Sequence, residues 1–247
     1  MQELTVELFL DALREGIRSF ESFKLEGGDF TPHIPEINEL LKNTELSLVR
    51  CKFKKCIFPG LEAPKLRAPE SDFMLSQFPQ ANFAESNFWK ADLRGCDLTS
   101  CNFGASRLSS AKMSRVVARS ASFLRANLMN ADLGEADLYE ADFLEAELTA
   151  CRFLRSNLSF ARFMSATLRD ADLSCSNLEE ANFWKANLEN TKLFRPENLE
   201  KARNMAYAFF ENTCLSESDE KVVQKLLKER NLFRIVNDEE VREFFKL

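Results

Sequence analysis

From Leu46 onward the chain falls into blocks of five residues with an apolar side chain in third place, and nothing else in the sequence restricts its fold so strongly. Thirty such centres run from Leu48 to Leu193 without an insertion or a phase slip. Twenty-seven are Leu, Phe or Met, the exceptions being Ala63, Ala68 and Ala118. Two positions before each centre, twenty-six of thirty residues are Ala, Ser, Thr or Cys; Leu46, Leu61, Leu66 and Val116 are the others. A helix needs apolar spacings of three and four, and a lone strand a spacing of two. A strict five fits a three-residue extended segment followed by a two-residue corner. The small residue and the centre then point inward and the residue between them outward. Only seven of 247 residues are glycine, so the corners must form mostly without it. Pro59, Pro64, Pro69 and Pro79 fall on the first corner position, where a preset φ suits a turn.

A longer period overlies the first. Phe83, Phe103, Phe123, Phe143, Phe163 and Phe183 are twenty residues apart, and so are Leu108, Leu128, Leu148, Leu168 and Leu188. Four blocks therefore make one square coil. Residues 46–195 are expected to form an all-β solenoid of about 7.5 coils, with identical rings stacked near the inter-strand spacing of roughly 4.8 Å.

Blocks such as Ala131-Asp132-Leu133 and Ala136-Asp137-Leu138 resemble the A-(D/N)-L-x-x pattern of the pentapeptide-repeat proteins. The resemblance covers residues 46–195. It implies a right-handed quadrilateral parallel β-helix, and a bacterial source is expected. Members of that family include proteins that protect DNA gyrase by imitating DNA, and secreted bacterial effectors.

Residues 1–45 and 196–247 lack the repeat and are expected to be α-helical caps over the ends of the stack. Thr5–Phe20 has the pattern of an amphipathic helix capped by Thr5, with Val6, Phe9, Leu10, Leu13, Ile17 and Phe20 on one face. Gly27-Gly28 would end that element, and Pro35–Lys42 would be a second short helix. Beyond the repeat, Pro196 suits a first helical position and precedes Leu199, Ala202, Met205, Ala206, Phe209 and Phe210. Asp219–Arg230 suits a second helix, and Asn237 or Asp238 could cap a third bearing Val241, Phe244 and Phe245. This apolar surface exceeds what one coil end needs. Phe209, Phe210, Phe244 and Phe245 are therefore candidates for a homodimer or partner contact.

Catalytic chemistry finds little support. The one histidine, His33, lies outside the repeats. Cys51, Cys56, Cys96, Cys101 and Cys151 occupy the small inward position, so their spacing follows from the repeat and not from metal ligation. No glycine-rich phosphate loop follows a strand. We expect no enzyme, no metal and no cofactor. No stretch is apolar for eighteen residues and the N-terminus is acidic, so neither a membrane span nor a secretory signal is expected. The odd number of cysteines suits a reducing compartment, the cytoplasm.

Charge bears on the partner. Residues 1–45 carry ten acids and four bases, 196–247 eleven and nine, and 46–195 eighteen and twenty, so the repeat region is itself +2. A DNA mimic needs a sustained negative face. The acidic stretch 131–150 has another explanation at a period of twenty. Asp92, Lys112, Asp132, Arg152, Asp172 and Lys192 form one column of alternating sign, and Glu135 falls between Arg115 and Arg155. Such ion ladders would stabilise the stack. The expected function is a scaffold that presents a rigid surface to a protein partner, with no direct nucleic-acid contact. Trp89, Tyr139, Phe160 and Trp184 at corner positions are candidate contacts. Gyrase binding and secretion as an effector are the alternatives.

Overall fold

The structure, a computed structural model, describes residues 2–229. Its element order begins with β1 (Gln2–Glu3), α1 (Val6–Arg14), β2 (Ser19–Glu21), β3 (Phe23–Glu26), α2 (Ile34–Leu41), β4 (Ser47–Val49) and β5 (Lys52–Lys54). A long run of single-residue parallel bridges follows, then β6 (Lys192–Leu193), two 3-10 turns, β7 (Cys214–Leu215) and α3 (Glu217–Glu229).

Each block behaves as its residue pattern dictates. From Ser47↔Arg67 to Asp172↔Lys192, every outward residue bridges the residue twenty positions on, in parallel. Phe103 N donates to Ser122 O at 2.7 Å and Ser122 N to Cys101 O at 2.8 Å. Every fifth residue from Arg50 to Arg195 is left-handed, with φ between 50° and 66°, yet only Gly60 and Gly95 among them are glycine. Holding an ordinary residue there costs roughly 1–2 kcal/mol. The offset comes from hydrogen bonds that close each corner, such as Ala111 N to Leu108 O at 3.0 Å, and that join it to the next coil, such as Ala105 N to Leu124 O at 2.8 Å. Pre-corner Asn and Asp add a third: Asn87 Oδ1 accepts from Trp89 N at 3.0 Å.

Four sides result. The first stacks Phe83, Phe103, Phe123, Phe143, Phe163 and Phe183, and the second Leu108, Leu128, Leu148, Leu168 and Leu188; these are buried throughout. The third stacks Leu93, Met113, Leu133, Phe153, Leu173 and Leu193, and the fourth Leu98, Ala118, Leu138, Leu158 and Leu178. From Phe103 to Phe183 the first-side rings lie 5.0–5.4 Å apart and within 6° of parallel. Several small inward residues pair their polar atoms, although the buried Ser106 hydroxyl has no partner among the described residues. Cys96 Sγ donates to Phe73 O at 3.0 Å, and Thr191 Oγ1 to Leu168 O at 2.7 Å.

The ends differ from the sequence reading. α1 stops at Arg14; Phe20 lies on β2, which pairs with β4, and Ile17 is exposed. Ser19↔Ser47, Lys24↔Lys52 and Asp29↔Ile57 are all offset by twenty-eight residues. The stack thus starts well before Leu46, in a coil lengthened by the eight residues of α2. Where α2 replaces a first-side segment, Asn38 fills the gap in the ladder. Its Nδ2 donates to Gly60 O at 2.9 Å, and its Oδ1 accepts from Glu62 N at 2.8 Å. α1 closes this end, with Phe9 against Phe20, Phe30 and Phe53.

At the other end the helix expected from Pro196 does not form. Asn177↔Glu197, Asn182↔Arg203 and Asn187↔Phe209 continue the ladder, the last two with one and two extra residues. Extended coil wins here because the bridges satisfy backbone groups of the preceding coil, while Leu199, Ala202, Met205 and Ala208 fill the interior. α3 packs on this coil through buried Val223. The third helix expected after Asn237, with Phe244 and Phe245, lies outside the described residues.

Candidate functional site

Because the stack fixes which outward residues share a column, its surface can be read side by side. Counted with the corner that follows it, the third side bears Lys52, Lys54, Lys55, Arg94, Lys112, Arg115, Arg152, Arg155, Lys192 and Arg195 against Asp72, Asp92, Asp132, Glu135 and Asp172, a net +5. The adjoining fourth side, up to Glu180, bears Arg119 against Asp97, Asp137, Glu140, Glu179 and Glu180, a net −4. Two columns of opposite sign therefore run side by side along the rod.

The alternating ladder exists in register but not in contact. Asp92, Lys112, Asp132, Arg152, Asp172 and Lys192 are consecutive bridge partners. Yet no two of them form an ion pair within 4.0 Å among the described residues, and Glu135 does not reach Arg155. The carboxylates are turned toward their own corners. Asp132 Oδ1 accepts from Gly134 N at 3.1 Å and Asp172 Oδ1 from Ser174 N at 3.0 Å, while Asp92 pairs with Arg94 at 2.6 Å. Long corner side chains make the inter-coil pairs instead: Arg115–Glu135 at 2.9 Å and Arg125–Glu145 at 2.7 Å. The partner guanidinium in each holds its glutamate below the ordinary 4.5, chiefly by hydrogen bonding. Asp137 is taken by Arg119 at 2.6 Å and Asp142 by Arg162 at 3.4 Å, so the acidic coil at 131–150 is largely neutralised by its neighbours. Lys112, Arg152, Arg155 and Lys192 remain exposed and without an ion pair among the described residues.

Beside these cations the corner is indented. Gly95, Ser114 and Gly134 supply almost no side chain, and Met74, Leu75 and Leu154 wall a notch of about 440 Å³ that Arg94, Arg115 and Arg152 line together with Asp132 and Glu135. Sequence reasoning missed this notch. Its signal was the pair of small residues Ser114 and Gly134 in one corner column, with Gly95 in the column beside it, visible only once every twentieth residue is aligned.

The aromatic candidates separate. Trp89 is half-buried with Lys90 Nζ 4.3 Å from its ring centre; Tyr139 and Phe160 pair at 5.5 Å; Trp184 is exposed beneath Lys185. Phe209 is 56% exposed, but Phe210 is 1% exposed, a core residue and not an interface. The buried thiols are poor nucleophiles. Burial pushes Cys56 up to about 11 and Cys101 up to about 12. Among the described residues no helix is long and apolar enough to cross a membrane, and no group of side chains is placed to hold a metal.

A sequence model of pentapeptide repeats matches in eight copies, over residues 76–115, 96–134, 126–163 and 161–195. No curated protein gives a significant sequence match. The structure is similar to that of full-length QnrB1, a plasmid-mediated fluoroquinolone resistance protein. Identity is 18% and the TM-score 0.58, over 85% of this chain and 99% of that one. HetL, a pentapeptide repeat protein involved in heterocyst differentiation regulation in the cyanobacterium Nostoc sp. strain PCC 7120, is 20% identical with a TM-score of 0.36, over 85% and 94% of the two chains. A pentapeptide repeat protein of the Arabidopsis thaliana thylakoid lumen is 31% identical over 36% of this chain and 63% of its own, with a TM-score of 0.36.

Proposed function

The chain belongs to the pentapeptide-repeat family, and from that premise we propose that it acts by binding a protein partner along the third side of its rod, without catalysis. One observation carries this reading: exposed Lys112, Arg152, Arg155 and Lys192 stand unpaired in fixed register beside an open notch, while most other charges are spent within the stack. The stack fixes the backbone positions of these cations, so only their side chains must be ordered on contact. The free thiols, buried at Cys51, Cys56, Cys96, Cys101 and Cys151, fit a reducing compartment such as the cytoplasm.

Gyrase binding is the second reading, favoured by the fold shared with QnrB1 and by the net −4 of the fourth side. Against it, Asp137, Glu179 and Glu180 of that side are paired with Arg119, Lys201 and Arg203. A supercoiling assay with purified gyrase and a fluoroquinolone decides between them. Protection at micromolar protein establishes the second reading, and none retires it. Self-association through the C-terminal coil, where Tyr207 and Phe209 are exposed, is tested by light scattering; a monomer at high concentration removes it.

A further inference from the structure

On the reading that the third side binds a protein, we propose that its occupant is an acidic α-helix lying along the rod axis, with carboxylates seven residues apart and an apolar residue between them. The spacing of the cations selects the shape. Lys112, Arg152 and Lys192 recur every forty residues, which is every second coil. Successive coils rise by about 5 Å, as the Phe123–Phe143 and Phe143–Phe163 ring separations of 5.0 Å record, so these cations repeat at about 10 Å. Seven residues of α-helix advance about 10.5 Å. An extended strand presents same-side residues roughly every 6.8 Å and falls out of step.

The notch selects what lies between the acids. Gly134 sits one coil above Lys112 and one below Arg152, at the indented corner, with Leu75 and Leu154 as apolar walls. A partner side chain three or four residues after the first acid reaches that level and replaces water there. Asp132, in the column at the same height, has one oxygen engaged by Gly134 N and does not close the notch.

Charge selects the class. The third side is +5, so an acidic partner gains from it at long range. A nucleic acid does not suit it, because Asp92, Asp132 and Asp172 interrupt the cations at alternate coils and would face phosphates.

The test uses the full chain and a labelled 21-residue stapled helix with Glu at every seventh position and Leu four residues after each. A second peptide of the same composition has its three Glu five residues apart. Fluorescence anisotropy at low salt is expected to show the heptad peptide binding about tenfold tighter than the other. Binding should fall about tenfold in Lys112→Glu/Arg152→Glu, and comparably in Gly134→Leu, with circular dichroism unchanged. Arg67→Glu, an exposed charge on the second side, should leave it intact. Equal binding of the two peptides, no loss in the double variant, or tighter binding of a 20-base-pair DNA duplex would overturn the proposal. Such a failure concerns the helix alone; the broader reading falls separately, in the gyrase assay.

Discussion

The middle of the rod and its two ends obey the same hydrogen-bonding rule with different chain lengths. Between Ser47 and Lys192 each coil takes twenty residues; at the N-terminal end it takes twenty-eight, and at the C-terminal end up to twenty-two. Parallel bridges persist in all three regions. What changes is the corner, which swells to hold α2 at one end and gains a residue or two around the 3-10 turns at the other. A coil is therefore defined by its ladder, and the five-residue sequence rhythm reports only that its corners are short.

That contrast can be broken most severely by inserting one residue between Arg119 and Ser120. Extra residues are tolerated after Glu197, but mid-rod the slip turns the inward residues of following blocks outward. Loss of cooperative unfolding, or at least about 4 kcal/mol of stability by urea titration, is expected. The next effect comes from the spine. Phe123→Ala, between two stacked rings and 0% exposed, should cost about 3–5 kcal/mol, whereas Phe209→Ala, largely exposed on the last coil, should stay within about 0.5 kcal/mol. Similar losses at both positions would erase the distinction between middle and end.

Corner conformation gives a smaller effect. Ser120 holds φ near 53°, so Ser120→Val should lower stability by about 1–2 kcal/mol and Ser120→Gly should not, as thermal melts would show. The smallest belongs to the exposed corner pairs. Glu135 and Glu145 are held below their ordinary 4.5 in the folded chain, so the unfolded chain binds protons more readily. Their contribution is present above pH 4.5 and is lost as pH falls through the depressed values. Arg115→Gln/Arg125→Gln should therefore shift Tm slightly at neutral pH and not at all at the acid end of the titration.

Much of this was legible in the sequence, for identifiable reasons. The spine positions from Phe83 to Phe183 repeat because a narrow interior admits one kind of side chain at each level, and repetition is what sequence displays directly. Phe20 and Phe210 carried no such signal. Each sits on a coil of irregular length, and its local pattern of apolar residues fits a helix as well as a strand. The charge columns were correctly aligned from Asp92 to Lys192, but alignment does not decide contact. Whether Asp132 reaches Arg152 depends on competition from Gly134 N, which no spacing rule records. The basic side itself was within reach of the same alignment, had charges been summed by column instead of along the chain.

Asn38 has a consequence for the protein's behaviour in bulk. A first-side segment with no coil beneath it is an invitation to a neighbouring molecule, and copy upon copy could then join into a filament. One amide, donating to Gly60 and accepting from Glu62, occupies that invitation from within the same chain. On that side a single side chain imitates the peptide group that a neighbouring strand would otherwise supply.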